Sequence, residues 1–397
     1  MKGALSDITI IDLSRVLAGP VATTFAADMG ANVIKIENPD GGDDTRVWPP
    51  MDNNESHYFA TYNRNKRSVT MNLKEPKARE MLKEMVKKAD VLVENFRPGV
   101  MEKMGLGYEE LAKINPRLVY ACASGYGTYG PYAQRPGYDL IAQAMSGIMS
   151  ITGFSGQPPV RVGAPLGDIM CAYGLLIGVL AAVNEAKRTG KGQFVEIALV
   201  DTLVSLVATS LIPYYANGTI GQRIGNQSVT LAPYDLFSGS DGDFILACGN
   251  QKLYELLCDE VIHKPELKTD ARFTTMKDRA ANQVALKPLI EEWTRQHTVE
   301  ECVNAIMAAG IPVGPIYNVA QVANDEHIAK VREMRVPMQH PVLGDITVTG
   351  NPIKMAAIKP EEWTPAPLLG QHTEAVLQEM LGMDAAEVQA LREKGVV

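Results

Sequence analysis

In the stretch GAPLGDIMCAYGLLIGVLAAV, residues 163–183, Asp168 stands alone before fifteen uncharged residues. An aspartate there can cap a helix by accepting a backbone N–H bond, a contribution of about 1 kcal/mol. It can also attack a carbonyl, since Gly163, Pro165 and Gly167 leave room beside it for a bulky ligand. A helix amino terminus favours the ionised form by about 0.3–1 kcal/mol, and a carboxyl pKa of about 3.9 leaves roughly three units of margin at neutral pH. The two roles are compatible, and the residue types leave both open.

Other segments suggest phosphate binding. NRNKRS (63–68) and NFRPG (95–99) lie near strand ends, and Lys103 follows about one helical turn beyond Gly99. Two cations and an amide so placed suit a phosphate or diphosphate, although a solvated loop reads the same way. GYGTYG (125–130) matches the glycine spacing of dinucleotide sites, but that pattern must open a helix. Pro131, Pro136 and Gly137 bar a helix before about Tyr138, which argues against nicotinamide or flavin dinucleotides. Neither a P-loop nor a G-x-S-x-G nucleophile elbow occurs. The six histidines show no metal-ligand spacing, and His372 in LLGQHT reads as structural. The five cysteines are scattered without C-x-x-C spacing, so no zinc site or disulfide framework is expected, and a reducing cytoplasm fits. No metal and no tightly bound cofactor are expected.

These residues need a scaffold. The 397-residue chain has 46% apolar and 21% charged residues, enough for a large core. Its net charge of −8 argues against nucleic-acid binding. The amino terminus, broken by Asp7 and Asp12, is no signal peptide. Strand-like ITIIDL (8–13), NVIKIE (32–37), RSVTMNL (67–73), DVLVENF (90–96) and RLVYACAS (117–124) alternate with helical patterns at 19–30 and 74–89. This predicts an α/β fold with a parallel sheet. The apolar run 169–183 falls short of the roughly 20 residues of a membrane span and reads as a core helix. A second apolar helix is expected from Val200 to about Tyr215. We expect a large domain over 1–216, a smaller α+β domain over 217–332 with helices at 251–262, 281–296 and 298–309, and a return to the first domain over 333–397.

The segments DLSRVLAGP, GANVIKIENPDGGDDTR, NRNKRSVTMNL, ADVLVENFRPGVMEKMGLG, GAPLGDIMCAYGLLIG, TGKGQFVEIAL, GIPVGPIYN and PLLGQHT occur in this order, together with NPRLVYACASGYGTYGPYAQRPGYDLIAQAMSG. Together they resemble the class III CoA-transferases, which include formyl-CoA transferase and carnitine CoA-transferase, over about residues 5–375. The resemblance implies a Rossmann-like large domain built from both ends of the chain, a smaller domain between them, and an interlocked homodimer. It implies that Asp168 is the nucleophile that takes CoA from an acyl-CoA donor and passes it to a free carboxylic acid.

It also implies contacts to CoA. Val16, Leu17 and Ala18 match the backbone strip beside the pantetheine, and Met71, Asn72, Leu73 and Lys74 match the strand end around adenosine. Asn95, Phe96 and Arg97 match the turn near the nucleotide. Lys103 takes the place of a phosphate-binding cation, and Arg135 is near the position of another. Tyr138 and Asp139 match the segment lining the acyl site. Leu17 replaces a glutamine of formyl-CoA transferases, Asn38 replaces their adenine-side arginine, and their glycine-rich loop is not visible around 223–233. Oxalate and formate are therefore not the expected acceptors. α-Methylacyl-CoA racemases share the fold but use a histidine where GYD places Tyr138. Racemisation and non-catalytic CoA binding are the alternatives.

Overall fold

A computed structural model describes residues 3–397, which divide into two compact units. One runs to Met149 and takes in Arg161–Ile220 and Asp325–Val397; the other is Ser150–Val160 with Gly221–Asn324.

The sheet of the first unit has six strands: β1 (Thr9–Asp12), β2 (Asn32–Glu37), β3 (Lys66–Thr70), β4 (Val91–Glu94), β5 (Val119–Ser124) and β6 (Phe194–Ala198). All pair in parallel, in the order β3-β2-β1-β4-β5-β6. Successive side chains point to opposite faces, so Ile10, Val33 and Val91 enter one core, while Ile11, Ile34 and Leu92 enter the other. Both faces are covered by helices, which is why the inner strands read as nearly unbroken apolar runs. On the first face lie α1 (Ala18–Asp28) and the long apolar helix. On the second, α2 (Pro76–Val86), whose first turn Pro76 opens, packs with the chain's last two helices through Met81, Leu82, Val376 and Leu377.

Three sequence expectations need correction. The long apolar helix runs from Leu166 to Thr189, 24 residues, and is long and apolar enough to cross a membrane. Its place in the core follows instead from a buried stripe that includes Cys171, Leu175, Val179 and Val183. The second apolar helix breaks at Val207 into Leu199–Leu206 and Ala208–Asn217, bent by 70°. Leu199 and Leu203 are buried but no residue of Ala208–Asn217 is, so the apolar character of that piece marks surface, which hydropathy alone does not distinguish from core.

The cluster NRNKRS is structural. The Arg64 guanidinium grips the buried Asp28 carboxylate at 2.7 and 3.0 Å and stacks on Trp363, 4.5 Å away. Lys66 pairs with buried Asp12 at 3.1 Å, and Arg67 with Glu379 at 2.6 Å. His372 accepts the Ser68 N–H at 3.2 Å, tying residues 325–397 to β3.

The second unit has its own core around Phe237, Phe244, Tyr254 and Phe273, beneath an antiparallel sheet of Tyr234–Ser238, Asp243–Ala247 and Val313–Pro315. Arg279 is fully buried there. It donates to the carbonyls of Ala232 and Phe273 and stacks on Tyr254 at 4.1 Å. Arg223 donates to the Gln157 carbonyl at 3.0 Å, joining 150–160 to this unit.

Asp28 also accepts from Asn65 and Asn351. Asp28→Ala leaves a buried guanidinium without its counter-charge, and should destabilise the first unit by about 3–5 kcal/mol. The check is the urea midpoint followed by tryptophan fluorescence; an unchanged midpoint would remove this pair from the list of anchors.

Candidate active site

Strand order reverses between β1 and β4, and at such a switch point the carboxyl ends of neighbouring strands open a crevice. Two clefts lie here and share Asn95, Phe96 and Arg97 at the end of β4. The larger, of about 560 Å³, is lined at the β3 end by Met71, Asn72, Leu73 and Lys74. Its lining carries four cations, Arg15, Lys35, Lys74 and Arg97, together with the carboxylates of Glu37, Asp40, Asp43 and Asp44; Lys35 is paired with Asp43, and Lys74 and Arg97 lie at the ends of β3 and β4. The smaller, of about 210 Å³, holds Asp168 between the Val16–Ala18 backbone and the segment that carries Arg135 and Tyr138.

Asp168 is the third residue of its helix, so it does not occupy the cap position. The Gly167 N–H donates to Asp139 Oδ1 at 2.7 Å, so a neighbouring helix, α3 (Asp139–Met145), supplies the acceptor at this helix start. Gln143 on α3 donates to Asp139 at 2.7 Å and accepts the Val162 N–H at 2.9 Å, bracing the segment before Asp168. Burial, with the Asp139 charge second, pushes the Asp168 carboxyl up to about 7. The helix terminus favours the anion by less than one unit and is outweighed. The margin expected from an ordinary carboxylate is gone, and near pH 7 Asp168 is about half ionised.

Several residues sit where the sequence did not place them. Asn95 spends both polar atoms on the Arg15 backbone, accepting its N–H at 2.8 Å and donating to its carbonyl at 2.7 Å. Asp139 lines neither cleft and acts on the helix start. Lys103, exposed at the end of the short helix Val100–Lys103, also lines neither. Arg135 reaches the small cleft and stacks on Tyr132 at 3.8 Å. Leu17 is buried, leaving its backbone as the part beside Asp168.

GYGTYG serves this geometry. A Cβ on Gly125 would lie 2.9 Å from the Gly137 Cα, so the two glycines let the chain cross itself and bring Tyr138 to the cleft. The next helix begins at Asp139, so no helix opens directly after Gly130.

Sequence reading missed Arg15 and Asp43, which line the larger cleft, and Tyr58, which lines neither cleft but feels the Asp168 charge. Burial raises the Tyr58 hydroxyl pKa; Tyr62, and then the charges of Asp168 and Asp43, add to the shift. Tyr58 also contacts the rings of Trp48 and Tyr62, 5.3 and 5.1 Å away. The four-residue spacing of Tyr58 and Tyr62 was the available signal.

CoA-transferase family III matches residues 5–373. An acetyl-CoA:oxalate CoA-transferase of Acetobacter aceti is 43% identical over 386 residues, covering 97% of each chain. A succinyl-CoA:glutarate CoA-transferase of Mus musculus is 37% identical over 397 residues, covering 99% of this chain and 90% of its own. The crystal structure of a CAIB/BAIF family protein from Brucella suis superposes with a TM-score of 0.85 at 37% identity, covering 96% of this chain and all of that one. With this likeness running nearly end to end, the chain belongs to CoA-transferase family III and is an enzyme of that class.

Proposed function

We propose that this enzyme moves CoA from an acyl-CoA to a free carboxylic acid by way of a covalent aspartyl-CoA thioester on Asp168. The carrying observation is the Asp168 carboxylate in a small cleft that shares Asn95, Phe96 and Arg97 with a larger cleft bearing Arg15, Lys74 and Arg97. In the larger cleft Arg15, Lys74 and Arg97 meet the phosphates, and the β3 end takes the adenosine. The Val16–Ala18 backbone flanks the pantetheine.

The Asp168 carboxylate attacks the donor thioester carbonyl and expels CoA thiolate, leaving a mixed anhydride. The thiolate attacks the aspartyl carbonyl of that anhydride, forming aspartyl-CoA and releasing the donor acid. The acceptor carboxylate then attacks aspartyl-CoA, and the returning thiolate takes the acceptor's acyl group and frees Asp168. Each thioester broken is replaced by another acyl bond of high energy, so transfer needs no further energy source.

Acetyl-CoA and succinyl-CoA are the proposed donors, and small mono- or dicarboxylic acids the acceptors. The relatives' names support both donors and acceptors such as glutarate and mesaconate. The Acetobacter aceti relative's name returns oxalate to the set, against the expectation drawn from Leu17. We also propose a homodimer, interlocked as the resemblance implies; exposed Ile177, Ile212 and Tyr215 offer apolar surface for a second copy. The five unpaired, buried cysteines support a cytoplasmic setting.

A mass-spectrometric exchange screen over these acyl-CoAs and acids should show new acyl-CoA with wild type. Asp168→Ala should lower the rate at least about a thousandfold. Exchange surviving that substitution would sink the aspartyl route; solvent deuterium entering the α-carbon without exchange would point to racemisation instead.

Because only the anion attacks, kcat/KM should rise about tenfold per pH unit below 7 and level off above. Stability runs the other way. The folded state keeps a proton on Asp168 that the unfolded chain releases between about pH 4 and 7, so this group's contribution falls as pH rises through that window. Asp168→Asn, which cannot ionise, should match wild type near pH 4 and exceed it by roughly 4 kcal/mol at pH 8. Parallel urea titrations at the two pH values check the sign; equal differences at both would mean that Asp168 ionises normally.

A further inference from the structure

Val16 has φ +71°, a left-handed conformation that β-branched residues avoid. From the Ser14 N–H to the Val16 N–H, each polar main-chain atom of the turn leading to it is held by a side chain. Asp12 Oδ1 accepts the Ser14 N–H at 2.9 Å, and Lys35 Nζ donates to the Ser14 carbonyl at 2.7 Å. Asn95 takes both the N–H and the carbonyl of Arg15. Asp43 Oδ1 accepts the Val16 N–H at 3.3 Å. Lys35 and Asp43 form an ion pair at 2.9 Å, with side chains 1% and 0% exposed. On the far side Gly19 abuts Ser14 so closely that a Cβ there would lie 2.3 Å from the Ser14 Cβ.

We infer that Lys35, Asp43 and Asn95 are positioning residues for acyl-CoA: they lock the Ser14–Val16 turn so that the Val16–Ala18 backbone is already in place beside Asp168 when substrate arrives. The inference rests on the reading of this cleft as the acyl-CoA site. None of the three needs to touch the reacting atoms. Their contribution is preorganisation, so their loss is felt in substrate affinity.

The test compares wild type, Asp43→Asn, Asn95→Ala, Val16→Gly, and the doubles Val16→Gly/Asp43→Asn and Val16→Gly/Asn95→Ala. Calorimetry gives Kd for CoA, steady-state exchange gives KM and kcat, and melting temperatures are followed in parallel. Asp43→Asn and Asn95→Ala should each raise Kd and the acyl-CoA KM about tenfold, with kcat and the acceptor KM within about threefold of wild type. Glycine adopts φ +71° freely, so the same substitutions in the Val16→Gly background should raise Kd only about threefold or less.

Equal losses in both backgrounds, or wild-type affinity in the single variants, would overturn the inference; a purely structural role moves the melting temperature without this coupling. Should Asp43→Asn fail to fold, the Asn95 pair makes the same comparison. A wild type that binds CoA but exchanges no acid defeats the transferase reading while the Kd comparison still judges the turn. A wild type that does not bind CoA defeats both.

Discussion

Charge taken out of water must be neutralised in place, and at the carboxyl ends of β1–β3 this protein buries Asp12, Glu37 and Asp43 with Lys35, Lys66 and Arg46. Burial works against the Lys35 charge, but Asp43, Asp12 and Glu37 outweigh it. Burial likewise works against the Asp43 anion, yet Lys35 and the Thr45 backbone and hydroxyl bring its carboxyl down to about 2. The network fixes the loops after β1 and β2 relative to each other. Those loops supply Arg15, Val16 and Asp43, so the walls of both clefts depend on it.

Asp168 stands in contrast to this network. It is half-buried where Asp12 is fully buried, but its near neighbour is Asp139, another carboxylate, and the charge acting on it raises its pKa as burial does. Burial raises Asp12 too, and there Lys66 and Lys35 reverse the effect. The same residue type is thus a fixed anion at the end of β1 and a readily protonated group in the first turn of the long helix. Environments that drive like groups apart in this way separate structural from reactive carboxylates.

The layered β/α order was legible because the periodicities that specify it are local: alternating faces in strands, an apolar stripe in α2. Asp168 was legible as an oddity of composition, and the role proposed for it leans on resemblance. What escaped was the use of polar side chains across long sequence separations. Asn95 was expected in a turn near the nucleotide and lines both clefts, but its hold on the Arg15 backbone, 80 residues away, left no trace in the sequence. NRNKRS looks like a phosphate site until Asp28, Asp12 and Glu379 are found to be its counter-charges. Asp139 looks like a wall of the acyl site until Gly167 donates to it from the next helix. Sequence spacing carries no record of such pairings, because each is decided by the sheet order.

A buried ion network is a weak device for stability alone, since well-packed apolar residues of similar volume often do as well or better. Its value here lies in direction. Apolar packing at Lys35 and Asp43 would fill the space but would offer nothing to the Ser14 carbonyl or the Val16 N–H, and the turn would relax toward the negative φ that valine prefers. A glycine at position 16 would take the positive φ without strain, so the turn would depend less on the side chains that hold it. Valine held by charge gives a rigid turn in a conformation that the residue would not choose, which is the preorganisation inferred for the Val16–Ala18 strip.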